Sequence, residues 1–189
     1  MIPVKPIAFG KSRLGLGPEL ARAIALDTVA AVVACEAVGR VIVVTADAGF
    51  RPADVEIVAE TAPVGIDAAV RAGAALAANR PRAALLGDLP ALRPADLAEA
   101  LALAAAHPRA FVADQEGLGT TLVTAAAGVP LTSAFGSDSA RKHRELGLVA
   151  LTVPAGSTVA ADVDTVEQLA RAAALGLGPA TRAVMKRAD

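Results

Sequence analysis

The sequence predicts an α/β domain with a mostly parallel, doubly wound sheet flanked by helices. Three observations predict it. Short β-branched runs alternate with longer alanine-rich segments of helical character. Arg40–Thr45 reads RVIVVT, the continuous apolar run of a strand buried on both faces. A length of 189 residues suits one domain with a full hydrophobic core, and no linker or internal repeat divides it.

Each element has its own signal. Ile2–Lys5 reads as a very short first strand, and Pro6–Gly17 as a basic loop punctuated by Gly and Pro. Pro18–Ala37 is predicted helical, with Pro18 suited to a first helical position and Leu20, Ile24, Val29 and Val32 broadly on one side. Val55–Ala59 is a short strand, and Ile66–Asn79 a helix opened by Gly65. Ala83–Leu86 is a buried strand ending at Gly87-Asp88, and Pro94–His107 the next helix. Ala110–Ala113 and Thr120–Ala125 are strands, Ser139–Leu146 a short basic helix and Leu148–Val153 a strand. Thr165–Leu175 and Pro179–Lys186 are the last helices.

Composition narrows the function. The chain is 54% hydrophobic, much of it alanine, so the strand Val, Ile and Leu must carry the core. A net charge of −1 gives no polyanion footprint, and 0 Trp and 0 Tyr argue against single-stranded nucleic acid held by stacking. Cys35, the single cysteine, sits in AAVVACEAV and reads as a small buried hydrophobe; an intrachain disulfide is impossible, and a cytoplasmic setting fits. No transmembrane helix and no signal peptide is expected.

Familiar nucleotide motifs fail. Gly10-Lys11-Ser12 would need a Gly where Lys5 stands to be a Walker A loop. Gly15-x-Gly17 and Gly117-x-Gly119 lack the third Gly of a dinucleotide fingerprint, because Leu20 and Leu122 occupy that place. Four other stretches carry chemistry. The loop with Lys11, Ser12 and Arg13, edged by Lys5, could wrap a triphosphate and stabilise a departing pyrophosphate, or be an ordinary solvated loop. Asp88 emerges from the apolar run AALLG, as a Mg²⁺ ligand or a turn former. Asp162-Val163-Asp164 sets two carboxylates on one side of an extended segment, although Asp164 could also cap the next helix with Glu167 in a capping box. Gly117–Thr121 and Phe135–Ser139 offer small residues, hydroxyls and a helix start that could receive a phosphorylated acid near Arg141, Lys142 and His143, or only a cap. His143 is expected on the helix surface, and His107 near a helix C-terminus.

These stretches, in this order, resemble the 2-phospho-L-lactate or phosphoenolpyruvate guanylyltransferase family of coenzyme F420 biosynthesis. VKPIAFGKSRL resembles VKPLxxAKSRL, VGIDAAVRAG resembles GLNxAL, and LLGDLPAL resembles LxADLPxL. GLGTT, FGSDSARKH and DVDTVEQL resemble GTGTT, FGxxSxxxH and DxDTPxDL. The resemblance spans nearly the whole chain, and the alanine bias points to the branch that uses phosphoenolpyruvate. It implies a single-domain Rossmann-like nucleotidyltransferase fold of the nucleotide-diphospho-sugar transferase type. It implies Mg²⁺ held by Asp88, Asp162 and Asp164, and the phosphorylated acid held by Thr120, Thr121, Gly136 and Ser139. It implies GTP phosphates at Lys5, Lys11, Ser12 and Arg13, with Gly65 near the nucleoside; Lys11, Arg13 and Asp88 would be catalytic. The expected reaction joins GTP and phosphoenolpyruvate into enolpyruvyl-diphospho-guanosine and pyrophosphate; the alternatives are the same chemistry on 2-phospholactate or 3-phosphoglycerate, a related molybdopterin-type nucleotidyltransferase, and a nucleotide-binding module without turnover. No nucleic acid or membrane partner is implied; a downstream transferase and a monomer or homodimer are. Asp67 departs from a usual Asn, Leu118 from a Thr and Val166 from a Pro.

Overall fold

A computed structural model describes residues 1–5, 17–60, 64–77 and 79–188. The strands are β1 (Ile2–Val4), β2 (Ile42–Thr45), β3 (Glu56–Ala59), β4 (Arg82–Leu85), β5 (Arg109–Ala113), β6 (Thr120–Ala125) and β7 (Val149–Ala150). The helices are α1 (Pro18–Val33), α2 (Ile66–Ala75), α3 (Pro94–Ala104), α4 (Ser139–Glu145), α5 (Val166–Leu175) and α6 (Pro179–Ala188). A 3-10 turn at Thr158–Ala160 was not anticipated from the sequence.

β1, β2 and β3 form a parallel sheet in the order β1-β2-β3, and β4, β6, β5 and β7 a second in the order β4-β6-β5-β7. Two hydrogen bonds splice them. The Met1 nitrogen donates to the Ala83 carbonyl at 2.7 Å, and the Leu85 N–H donates to the Met1 carbonyl at 3.1 Å. That alternation is a parallel ladder between β1 and β4. The combined order is therefore β3-β2-β1-β4-β6-β5-β7. Only β6 runs against its neighbours, antiparallel to both β4 and β5, so the sheet is mostly parallel as predicted.

The apolar strand runs resolve into two buried faces by the two-residue period of a strand. Val43, Val112 and Leu122 pack with Val29 of α1 and Leu97 of α3. Ile42 and Val44 pack with Ala69 of α2, and Phe111 and Val123 pack with Ala140 of α4. Helices thus cover both faces. Cys35 is buried in the first of these clusters, as the sequence suggests.

Several elements are shorter than predicted. α1 ends at Val33 rather than Ala37, and α3 at Ala104 rather than His107. Alanine carries little information about where a helix stops, because it favours helix at every position. β7 is two residues rather than Leu148–Val153. α6 is anchored from far away: Asp27 of α1, 7% exposed, accepts the Ala180 and Thr181 N–H groups at 3.0 and 2.7 Å. These are orphan donors of the first turn of α6, satisfied by a carboxylate more than 150 residues earlier in the chain. A Cβ at Gly178 would lie 2.2 Å from Asp27 Cγ, so the contact requires glycine there.

Candidate active site

The sheet order sets the location. β2 and β4 flank β1 on opposite sides, so the chain leaves β1 and β4 at a topological switch point, where ligands bind beyond the carboxyl ends of strands. Asp88 stands in the turn that follows β4. The Thr28 hydroxyl of α1 holds this turn, donating to the Ile24 carbonyl at 2.9 Å and accepting the Leu89 N–H at 3.0 Å.

The second acidic segment is fastened directly to the first. The Val163 N–H donates to the Asp88 carbonyl at 3.0 Å, which sets Asp162 and Asp164 on either side of that bond. α5 is capped by Thr165 rather than Asp164: Thr165 and Gln168 form the capping box, one residue later than the sequence suggested. Gln168 can serve as well as a Glu, because the box requires only an acceptor reaching back to the first N–H groups. The Gln168 Oε1 accepts both the Asp164 and Thr165 N–H groups, at 2.7 and 2.9 Å.

A third segment, missed at the sequence level, completes the acidic end. Asp114 and Glu116 follow β5, and each brings a carboxylate oxygen within 4.8 Å of the other and of Asp162. Asp114 is held by the Leu118 N–H at 2.9 Å and the Gly119 N–H at 2.7 Å. A Cβ at Gly119 would fall 2.3 Å from Asp114 Oδ2, so only glycine permits this approach. The signal was present: Asp114 ends an apolar strand run just as Asp88 does. Glu116 is also engaged from outside by Arg171 and Gln168.

Asp162 sits at the centre. Its burial, then the Asp88, Asp114 and Asp164 carboxylates, push its carboxyl up to about 8. Its Oδ1 is buried and meets no hydrogen-bond donor among the described residues. A half-buried, crowded carboxylate with one oxygen sealed from solvent wants either a proton or a cation. The donor set is all oxygen, which suits a hard divalent cation such as Mg²⁺, Ca²⁺ or Mn²⁺. The residues present therefore fit such an ion.

A different chemistry faces the other side of the sheet. The register shifts between Val112 and Ala113: Val112 pairs with Leu122, but Ala113 pairs with Thr120. The extra residue in β6 turns Thr120 toward α4, away from the face that Leu122 occupies. Thr120 Oγ1 lies 2.9 Å from Nδ1 of His143. Thr121 is fully buried, and its hydroxyl donates to the Val159 carbonyl at 2.7 Å, bracing the segment that leads to Asp162. His143 is not on the surface as expected; it is 0% exposed, between the rings of Phe111 and Phe135, each 5.5 Å away. α4 packs against Phe111 of β5, so its basic residues divide by face: Arg141 and Arg144 outward, His143 inward.

Ser139 begins α4 and is 1% exposed; its N–H donates to the Gly136 carbonyl. Gly136 has φ 115°, a conformation that favours glycine. Asp67 of α2 accepts from the Ser133 hydroxyl at 2.6 Å and the Phe135 N–H at 3.1 Å, so the residue that departs from the usual Asn ties α2 to the loop before α4. Lys5 and Gly65, both expected at the nucleotide, line one recess of about 60 Å³ with Glu60. Lys11, Ser12 and Arg13 lie outside the described residues. A larger cavity, about 870 Å³, opens at the opposite, amino-terminal end of the strands between Met1, Arg40, Arg82 and Leu101; it is mostly apolar and far from the carboxylates.

The carboxylates at a switch point narrow the fold family, and comparison with known proteins decides it. The chain is 49% identical to a phosphoenolpyruvate guanylyltransferase of Streptomyces coelicolor, over 99% of this chain and 95% of that protein. A Thermomonospora curvata protein of the same name is 44% identical over 99% of this chain and 88% of its own length. The chain belongs to the phosphoenolpyruvate guanylyltransferase family. One of Salinispora arenicola shares 44% identity over 96% of this chain and 90% of that protein. No family model matches the chain. Among solved structures, a nucleotidyl transferase from Methanothermobacter has a TM-score of 0.63 at 21% identity, covering 90% of this chain and 93% of its own. A Desulfovibrio desulfuricans structure assigned as a nucleotide-diphospho-sugar transferase has a TM-score of 0.60 at 17% identity, covering 89% and 82%. These likenesses agree with the nucleotidyltransferase fold expected from the sequence. No helix among the described residues is long and apolar enough to cross a membrane.

Proposed function

We propose that this guanylyltransferase moves GMP from GTP to the phosphate of phosphoenolpyruvate. The observation that carries the reading is the carboxylate group around Asp162, at the switch point of a chain so close to phosphoenolpyruvate guanylyltransferases. An oxygen of the acceptor phosphate attacks the α-phosphorus of GTP, the α–β phosphoanhydride bond breaks, and pyrophosphate leaves. The acceptor is already a nucleophile at neutral pH, so no general base is required. The protein's task is positioning and charge neutralisation.

Asp88, Asp162 and Asp164 would hold Mg²⁺, with Asp114 beside them. Bound there, the ion would supply Lewis-acid neutralisation of phosphate charge. Lys5 and Gly65 would border the nucleotide, and Lys11, Ser12 and Arg13 would meet its phosphates, a role supported by sequence alone. Thr120, Gly136 and Ser139 would receive the acid. Thr121 would act beneath them, since its hydroxyl is committed to Val159.

Pyrophosphate release from GTP, measured with phosphoenolpyruvate, 2-phospholactate and 3-phosphoglycerate in turn, tests the proposal. Turnover is expected with phosphoenolpyruvate and Mg²⁺. Turnover with 2-phospholactate alone would keep the chemistry and change the acceptor; none with any of the three would overturn the reading.

A further inference from the structure

The buried imidazole of His143, which meets Thr120 of the proposed acceptor site, is used by nothing described so far. A backbone N–H can only donate, and the Ala134 N–H points at Nε2 of His143, 2.9 Å away. Nε2 must therefore be the unprotonated nitrogen. A second proton on the ring would face that N–H, so the site holds His143 neutral. Burial acts in the same direction, lowering the imidazole pKa; Asp67 and a hydrogen bond with the Ser139 backbone oppose the fall, and Lys142 adds to it. A neutral ring with a bare Nε2 carries its proton on Nδ1. The Nδ1–H then donates to Thr120 Oγ1 at 2.9 Å. That fixes the hydroxyl as acceptor on its His143 side and sends its own proton elsewhere. Among the described residues Thr120 Oγ1 has no second partner.

We infer that His143 is a positioning residue that fixes the Thr120 hydroxyl as a hydrogen-bond donor to the anionic acceptor. The inference rests on the acceptor site proposed above. Without the ring, the hydroxyl could turn its proton inward and present a lone pair to an anion, which repels it. The bulge at Thr120 supports the arrangement, since regular pairing would have turned this side chain to the α1 and α3 face. Asp67 supports it too, by holding Phe135, whose ring packs edge-on against His143. The imidazole is thus clamped from Ala134, Phe111 and Phe135.

Two variants separate positioning from packing. Asn carries its amide near the place of Nδ1, and Gln near that of Nε2. His143→Asn retains a donor to Thr120 and should leave the KM for phosphoenolpyruvate within about threefold of wild type. His143→Gln keeps only the far partner and should raise it about tenfold or more, with the KM for GTP within about twofold. Thr120→Val should match His143→Gln, and the double variant should be no worse than either single one. Equal damage by Asn and Gln, additive effects, or parallel changes in both KM values would make His143 a packing residue and overturn the inference. Should both variants fail to fold, ¹⁵N imidazole shifts of the full chain decide, with His107→Gln assigning the signals. The Nδ1-protonated neutral ring is expected at pH 7; an imidazolium or an Nε2-protonated ring there would overturn it. Failure of the proposed function is distinct, because the wild type would then release no pyrophosphate while the tautomer remained as stated.

Discussion

The two sides of this site are built on opposite terms. At the acidic side, Asp162 is crowded by Asp88, Asp114 and Asp164, and one of its buried oxygens meets no donor among the described residues. At the other side, both nitrogens of His143 are engaged and its ring is packed. One region holds electrostatic tension that a ligand could relieve; in the other the imidazole is satisfied by protein groups and fixes a neighbouring hydroxyl. The lesson is that burial alone does not identify function. What separates the two is whether the buried polar atoms are satisfied without a ligand.

The sharpest way to break the acidic side is Asp88→Asn. The amide removes a charge that burdens Asp162 and would weaken the cation site proposed above. Turnover should fall about 100-fold or more, since removing metal-held charge stabilisation costs several kcal/mol. In EDTA, however, the variant should melt at or above the wild-type temperature, because repulsion is relieved. Measuring pyrophosphate release beside metal-free thermal melts checks both halves. A variant that melts much lower would show Asp88 to be chiefly structural.

A smaller effect is expected from pH. Asp162 titrates near 8 in the folded chain against an ordinary 3.8. The folded state therefore holds this proton more tightly than the unfolded one. Its stabilising contribution is complete below about pH 4 and is lost as pH rises toward 8. Without divalent cation, stability should decline between pH 5 and 8 by up to about 1.4 kcal/mol per unit, with other groups reducing the slope. Mg²⁺ should flatten it, since a cation takes the proton's place. Urea unfolding at several pH values, with EDTA or with Mg²⁺, measures this. An Asp162→Asn variant with the wild-type slope in EDTA would assign the tension elsewhere.

The unequal terms of the two sides also explain what the sequence revealed. The layer order was legible because apolar runs such as Ile42–Thr45 and Ala83–Leu85 have few alternatives to buried strands. Asp88 was legible as an acid at a strand end and Asp162 and Asp164 as a pair on an extended segment, and the structure brings the two segments together through Val163 and Asp88. Asp114 and Glu116 were missed although Asp114 carries the same local signal as Asp88; nothing in the chain says that the β5 turn folds back to Asp162. His143 was misread for a physical reason. Its neighbours Arg141, Lys142, Arg144 and Glu145 are charged, and a seven-residue helix offers too few periods to show which residue turns inward. The bulge that re-aims Thr120 leaves no mark in a run of Thr-Thr-Leu-Val, since either register buries apolar groups.

Arg141 gives the mildest test, and it separates charge from geometry on the acid side. The sequence placed this residue close to the expected acid, where a cation would help. In the structure its side chain is 61% exposed, paired with Glu145 at 2.6 Å and facing Asp138 at 4.0 Å. Both partners lie on α4 or at its start, so the charge is already answered locally. An exposed pair four residues apart on a helix contributes about 0.3–0.5 kcal/mol. Arg141→Ala should therefore change stability by less than about 0.5 kcal/mol, and the KM for phosphoenolpyruvate by less than about twofold. Steady-state kinetics at low and high salt would check it. A large rise in that KM, strongest at low salt, would mean that Arg141 abandons Glu145 when the acid arrives. The acid side would then be held by mobile surface charge rather than by the buried hydroxyl of Thr120, and the contrast between a tense and a completed half of the site would fail.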